Sequence, residues 1–145
     1  MISLIQRVSE ARVTIDHQVV GEINNGILAL IGVEKNDGQQ QADRLLQKML
    51  GYRIFEDSDG KMNLCLRDIA GGLLLVPQFT LAADTNKGMR PGFSAAADPD
   101  EGKCWFEYLL KHAQQQYSYV ESGRFGSDMQ VSLVNQGPAT FWLQT

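Results

Sequence analysis

The run Ile27-Leu28-Ala29-Leu30-Ile31-Gly32-Val33 carries no polar side chain and has the length of a strand. A half-buried strand alternates apolar with polar residues, so an unbroken apolar run this short marks a strand covered on both faces. Leu73-Leu74-Leu75-Val76-Pro77-Gln78-Phe79 is a second run of the same kind. Pro77 has no N–H to give to a ladder and belongs at an edge, a bulge or an unpaired position. Upstream of the first run, residues 2–16 read as a strand in which Ala11, Val13 and Ile15 alternate with Arg12, Thr14 and Asp16. Val19 to Ile23 follows as its hairpin partner, and Asn24-Asn25-Gly26 is a turn because Asn and Gly accept positive φ cheaply.

Between the two runs, Ala42, Leu45, Leu46, Met49 and Leu50 recur at helical spacing and predict a helix from Gln39 to about Tyr52, with Asn36-Asp37-Gly38 offering capping chemistry. Arg53-Ile54-Phe55 resumes a strand. The turn from Glu56 to Lys61 lacks the ligand spacing of a calcium loop and reads as a solvated hairpin. Asp98-Pro99-Asp100-Glu101 opens a second helix, with Asp98 as cap and Pro99 in the first turn. Its stripe is Trp105, Phe106, Leu109, Leu110 and Ala113. Two further strands are expected at residues 129–134 and 140–143, joined by a turn at Asn135-Gln136-Gly137-Pro138. The class is α+β, with many strands and two main helices.

A chain of 145 residues has the size of one domain, so residues 1–145 are expected to form a single unit. Its 43% hydrophobic and 21% charged residues exclude intrinsic disorder. No apolar run approaches the ~20 residues of a membrane helix, and residues 1–7 do not read as a signal peptide, so a soluble, cytoplasmic protein without membrane contact is expected. Thirteen Lys and Arg against 17 Asp and Glu give a net charge of −4, which disfavours broad nucleic-acid binding but leaves room for a small basic site. Cys65, Cys104, His17 and His112 fall at no metal-ligand spacing, so no metal or cofactor is expected, and both cysteines read as buried packing residues.

Chemistry is expected at two places. At Gln78-Phe79-Thr80 a buried strand acquires polar side chains just as it ends, where a rigid scaffold presents functional groups; the plainer alternative is that they face solvent. Asn135-Gln136-Gly137-Pro138 is an ordinary turn by its chemistry, and only about 5–6% of X–Pro bonds are cis. Between them Lys87, Arg90 and Phe93 lie on a polar loop that is either merely solvated or in contact with phosphate.

The start Ile2-Ser3-Leu4-Ile5-Gln6-Arg7-Val8, the segment Gln78-Phe79-Thr80-Leu81, the loop Gly88-Met89-Arg90-Pro91 and the tail from Asn135 to Trp142 together resemble the D-aminoacyl-tRNA deacylases over essentially the whole chain. Pro77 stands where that family has serine, and Ala139 where it has valine after Gly-Pro, near the pocket. The resemblance implies β-barrel-like subunits with mixed sheets, a homodimer with active sites at the subunit interface, and hydrolysis of the ester joining a D-amino acid to the terminal adenosine of tRNA. It further implies a cis Gly137–Pro138 bond that reaches into the partner's pocket and rejects L-substrates while admitting glycyl-tRNA to some extent.

Arg7 resembles the residue that brace this loop, the alternative being a sheet-surface cation, and Met129 a pocket-lining residue, the alternative being core. Lys87 and Arg90 would touch tRNA. For the chemistry two roles stay open. Thr80 is a nucleophile, or backbone N–H groups around Phe79 and Thr80 form an oxyanion hole while the ribose 2′-OH assists water and Gln78 orients the segment. The second is favoured because no base lies near Thr80 in sequence. A non-catalytic tRNA- or DNA-binding protein is the competing reading.

Overall fold

The computed structural model describes residues 1–86 and 88–145. Its strands are β1 (Ile2–Ile15), β2 (Gln18–Ile23), β3 (Gly26–Gly32), β4 (Phe55–Glu56), β5 (Met62–Leu64), β6 (Gly72–Pro77), β7 (Val120–Ser122) and β8 (Gln130–Gln144). The helices are α1 (Gln39–Gly51), α2 (Leu66–Ile69) and α3 (Pro99–Gln116), and a 3-10 turn, Phe79–Ala82, follows β6.

β1 is the spine. Along one edge it pairs antiparallel with β8; along the other it pairs first with β3, through Ile2–Val8, and then with β2, through Ala11–Ile15. β3, β6 and β7 run parallel, and the connections between them carry α1 and α3. β2 swings back to contact β6 and β7, so the sheet nearly closes into a barrel.

The double burial of the two apolar runs follows from this closure. On one face of β3 and β6, Ile27, Ala29, Ile31, Leu73 and Leu75 pack under Leu45, Leu46, Met49, Phe106 and Leu109 of the two long helices. On the other, Leu28, Leu74 and Val76 meet Val8, Ala11, Val13 and Ile23 inside the barrel. Each fully buried Leu or Ile contributes roughly 1.5–3 kcal/mol. A polar substitution in either run would face core whichever way it pointed. Tyr117, after α3, donates its hydroxyl to the Gly71 carbonyl just before β6, and burial pushes its phenol above its ordinary pKa.

Four expectations need correction. Residues 129–134 and 140–143 are not two strands joined by a hairpin turn; β8 is one strand paired with β1 on both sides of Asn135–Pro138. Val8 pairs with Asn135 and Gln6 with Thr140, so two steps along β1 answer five along β8 and the excess residues bulge out of the ladder. The resumed strand after α1 begins only at Phe55 and is completed by β5. Asp98 occupies the cap position of α3 but makes no side-chain capping bond, although Pro99 opens the helix as expected. Cys104 is exposed and Cys65 half-buried, so neither is a core residue. The two main helices are joined by a third of a single turn, α2, whose first free N–H, that of Cys65, donates to Asp68 Oδ2 at 2.8 Å.

Candidate active site

β3 and β6 end side by side, and their parallel direction puts both C-terminal ends on the same rim of the barrel. Parallel strands with helical crossovers leave a crevice at such ends. Here it is a pocket of about 520 Å³. Ile31 and Val33 continue β3 into it, Val76, Pro77, Gln78 and Phe79 continue β6, Pro99, Gly102 and Phe106 of α3 form one wall, and Phe125–Met129 with Val131 form the other. The lining is mostly aliphatic and aromatic, with Gln78, Ser127 and Asp128 as its polar side chains, as in most small-ligand sites.

Pro77 closes β6 where the ladder ends, so its missing N–H costs nothing: the last bond is given by Gln78, whose N–H reaches the Ile31 carbonyl at 2.7 Å. The chain then turns into the 3-10 segment, where the Leu81 N–H returns to the Gln78 carbonyl at 3.1 Å. The first N–H groups of a helical turn have no partner within it. Gln78 supplies no side-chain cap, and the N–H groups of Phe79 and Thr80 find no backbone acceptor among the described residues. Two donors without a backbone acceptor therefore follow one another here, that of Phe79, which lines the pocket, and that of Thr80, the next residue, which does not.

The Thr80 hydroxyl is exposed and accepts the Gln78 Nε2–H at 2.5 Å. An amide nitrogen that donates cannot also take a proton, so this contact orients Thr80 without activating it. Met129 does line the pocket and is only half-buried. Its sulfur packs on Gly123, where a Cβ would come within 2.7 Å, and accepts the Arg124 N–H at 3.4 Å.

The Asn135–Thr140 bulge is built separately. Asn135 clips it shut: Oδ1 accepts the Ala139 N–H at 2.7 Å and Nδ2 donates to Thr140 Oγ1 at 2.9 Å. Arg7 is not a sheet-surface cation. It is buried, gives Nε–H to the Gln136 carbonyl at 2.9 Å and Nη1–H to the Ile54 carbonyl at 2.7 Å, and so ties the bulge to the segment after α1. The Gly137–Pro138 bond is cis. Gln136, Gly137 and Pro138 are exposed, and none of them lines the pocket of their own chain. Ala139 is buried and does not line that pocket either.

One chain thus brings Gln78, Phe79 and Met129 together and leaves Arg7, Gly137 and Pro138 apart from them. Arg90 is exposed on the loop after the 3-10 turn; Lys87 lies outside the described residues. Sequence reasoning missed Phe125, Gly102 and Phe106, which meet at the pocket from a loop and a helix far apart in the chain. Among the described residues no cluster of His, Cys, Asp and Glu has the makings of a metal site, and no helix is long and apolar enough to cross a membrane.

The family described as D-Tyr-tRNA(Tyr) deacylase matches residues 4–144. Proteins named D-aminoacyl-tRNA deacylase from Enterobacter sp. (strain 638) and Escherichia coli O81 (strain ED1a) are each 56% identical over 144 residues, 99% of both chains. The one from Pectobacterium atrosepticum is 54% identical over the whole of both chains. A solved structure described as c-Myc DNA Unwinding Element Binding Protein superposes with a TM-score of 0.95 at 32% identity, covering 100% of this chain and 99% of the other. A structure described as a probable eukaryotic D-amino acid tRNA deacylase shares the fold at a TM-score of 0.83 and 14% identity, covering 99% and 98%. With the family match running almost from end to end and curated relatives at this identity, the chain belongs to the D-Tyr-tRNA(Tyr) deacylase family.

Proposed function

We propose that this hydrolase of ester bonds removes D-amino acids from tRNA by presenting two backbone donors to the ester carbonyl, in a site completed by a second copy of the chain. The carrying observation is the pair of consecutive N–H groups without a backbone acceptor, that of Phe79, which lines the pocket, and that of Thr80 next to it in the chain. The terminal adenosine fits the pocket against Met129, and the ester carbonyl lies at the donors. Water attacks the carbonyl carbon, the oxyanion forms against the two N–H groups, and the bond to the ribose oxygen breaks. The attacking water's proton passes to the departing ribose oxygen with the neighbouring 2′-OH as relay. An oxyanion donor contributes about 2.7–4 kcal/mol to such a step, and an aminoacyl ester is already activated.

Chirality needs a rigid wall, because D- and L-substrates carry the same atoms. The exposed Gly137–Pro138 bulge, clipped by Asn135 and braced by Arg7, is such a wall. Since it does not line its own pocket, it acts in the pocket of a second copy, in a homodimer. Glycine has no side chain to reject, so glycyl-tRNA is hydrolysed as well. Lys87 and Arg90 contribute phosphate contacts, and the reaction uses no metal.

The test is hydrolysis of D-tyrosyl-tRNA and L-tyrosyl-tRNA side by side. Rapid release from the first, near-background release from the second and indifference to chelator are expected. Equal rates on both, or binding of tRNA or DNA ends without hydrolysis, would overturn the proposal.

The backbone mechanism carries its own prediction for Thr80→Ala. Loss of the hydroxyl removes the contact to Gln78 but neither N–H donor, so kcat on D-tyrosyl-tRNA should fall by no more than about tenfold. A nucleophile's removal would cost on the order of 10⁴-fold or more, and an aminoacyl-Thr80 adduct seen by mass spectrometry would decide for the hydroxyl.

A further inference from the structure

Phe79 has two neighbourhoods. It lines the pocket, while its ring meets Phe93 with centroids 5.2 Å apart and planes tilted by 47°. Both rings are unusually open for aromatics in contact, Phe79 at 57% and Phe93 at 41% exposure. Phe93 is held firmly in that position. It directly follows a loop whose neck is closed by two bonds between Asp84 and Gly92, at 2.7 and 3.0 Å, and its own carbonyl accepts the Ala96 N–H at 3.2 Å. The loop so closed carries Arg90, exposed, and a wholly exposed Met89. An aromatic pair that includes a residue of a nucleoside-sized pocket, with an exposed cation three residues away in the chain, has the composition of a single-strand nucleic-acid platform: aromatic faces for bases and positive charge for the backbone.

We infer that Phe93, with Phe79, stacks the base that precedes the terminal adenosine of the tRNA 3′ end. The inference rests on the deacylase reading above and extends it by one nucleotide. A strand whose last nucleoside is seated in the pocket must leave over its rim, and the exposed Phe79 is part of that rim. The unpaired 3′ end of tRNA supplies a free π-face at that step whatever the attached amino acid. Phe93 is therefore a substrate-binding residue for the nucleic-acid part of the substrate and has no role at the ester.

Phe93→Leu keeps apolar bulk against Phe79 and removes the π-face. With D-tyrosyl-tRNA its KM should rise by roughly 5- to 150-fold, the range for loss of one base–aromatic stack, with kcat little changed. With D-tyrosyl-adenosine, which has no preceding base, KM should match that of the unaltered chain. Phe93→Trp should restore tRNA binding, and tRNA made abasic at the penultimate position should remove the difference between Phe93→Leu and the unaltered chain. An equal loss on both substrates would make Phe93 a support for Phe79 and overturn the inference. So would unchanged KM on tRNA, or sedimentation showing that Phe93→Leu dissociates a dimer, which would make the aromatic pair a subunit contact. These results leave the deacylase reading standing. Failure of the unaltered chain to hydrolyse D-tyrosyl-tRNA removes that reading and this inference with it.

Discussion

Gly137→Ala should lower kcat/KM on D-tyrosyl-tRNA by at least about 100-fold, equivalent to roughly 2.7 kcal/mol. Two independent constraints meet at this residue. Its φ is +135°, a conformation that side chains of L-residues rarely adopt, and holding one there costs on the order of 1–3 kcal/mol. A Cβ would also stand 2.7 Å from Arg7 Nη2. Either the bulge or the guanidinium must move, and the guanidinium is fixed by its bonds to the carbonyls of Gln136 and Ile54. Charge-assisted bonds of this kind contribute about 1.5–3 kcal/mol each, so the added methyl displaces the bulge instead. Because Gln136, Gly137 and Pro138 are exposed, the displacement should leave the folded chain intact, with an unchanged urea slope and a small change of midpoint. Activity and denaturation measured on the same preparation check this. Full activity with an unchanged fold would show that the bulge takes no part in recognition.

The strands and helices that set the architecture were legible because each carries a long, regular pattern. Residues 27–33 and 73–77 are apolar without interruption, and the barrel buries both faces of β3 and β6 accordingly. α1 and α3 keep their 3.6-residue stripes over 13 and 18 residues. What failed was local chemistry overruled from a distance. Asn-x-Gly-Pro is good turn chemistry, yet β1 is long enough to hold both halves of β8, and no signal near residue 137 reveals a shared partner. Asp37 has the chemistry of a helix cap but is drawn to Met1, so the Gly38 N–H donates to the Gln41 side chain instead, at 3.1 Å.

The site was legible in its strand and not in its walls. Gln78, Phe79 and Met129 line the pocket, and Thr80 does not. Gly102 and Phe106 looked like ordinary members of a helical stripe, and nothing in a stripe tells which residues overhang the end of a strand. Phe125-Gly126-Ser127-Asp128 carried a weak signal, a Gly-containing loop just after a strand, with Gly126 at a φ of +77°. Phe93 carried a weaker one, an aromatic in an otherwise polar loop.

Asp37→Asn should destabilise the fold by about 3–5 kcal/mol, the loss that follows when one partner of a buried ion pair is removed. The Met1 α-ammonium is fully buried and donates to Asp37 Oδ1 at 2.6 Å, to Glu34 Oε2 at 3.1 Å and to the Thr145 carbonyl at 3.0 Å. Asp37 is buried too, and its second oxygen accepts the Glu34 N–H at 2.7 Å. Both carboxylate oxygens are thus acceptors facing donors. Asparagine offers one oxygen and one NH₂, so whichever way the amide turns, it sets a donor against either the ammonium or the Glu34 N–H. Glu34 alone must then balance the charge, and it is partly open to solvent, with its other contacts going to the exposed Gln144 side chain. A loss of this size is about a fifth or more of the roughly 5–15 kcal/mol by which domains are stable, so the urea midpoint should fall sharply. Because Met1 and Asp37 are screened by protein rather than by water, the loss should persist at high salt, unlike that of a surface pair. The exposed pair Lys103–Glu107, 3.8 Å apart on α3, is the internal control: Glu107→Gln should shift stability by no more than about 1 kcal/mol. Equal shifts for the two variants would show that the Met1 ammonium stays solvated in the native state.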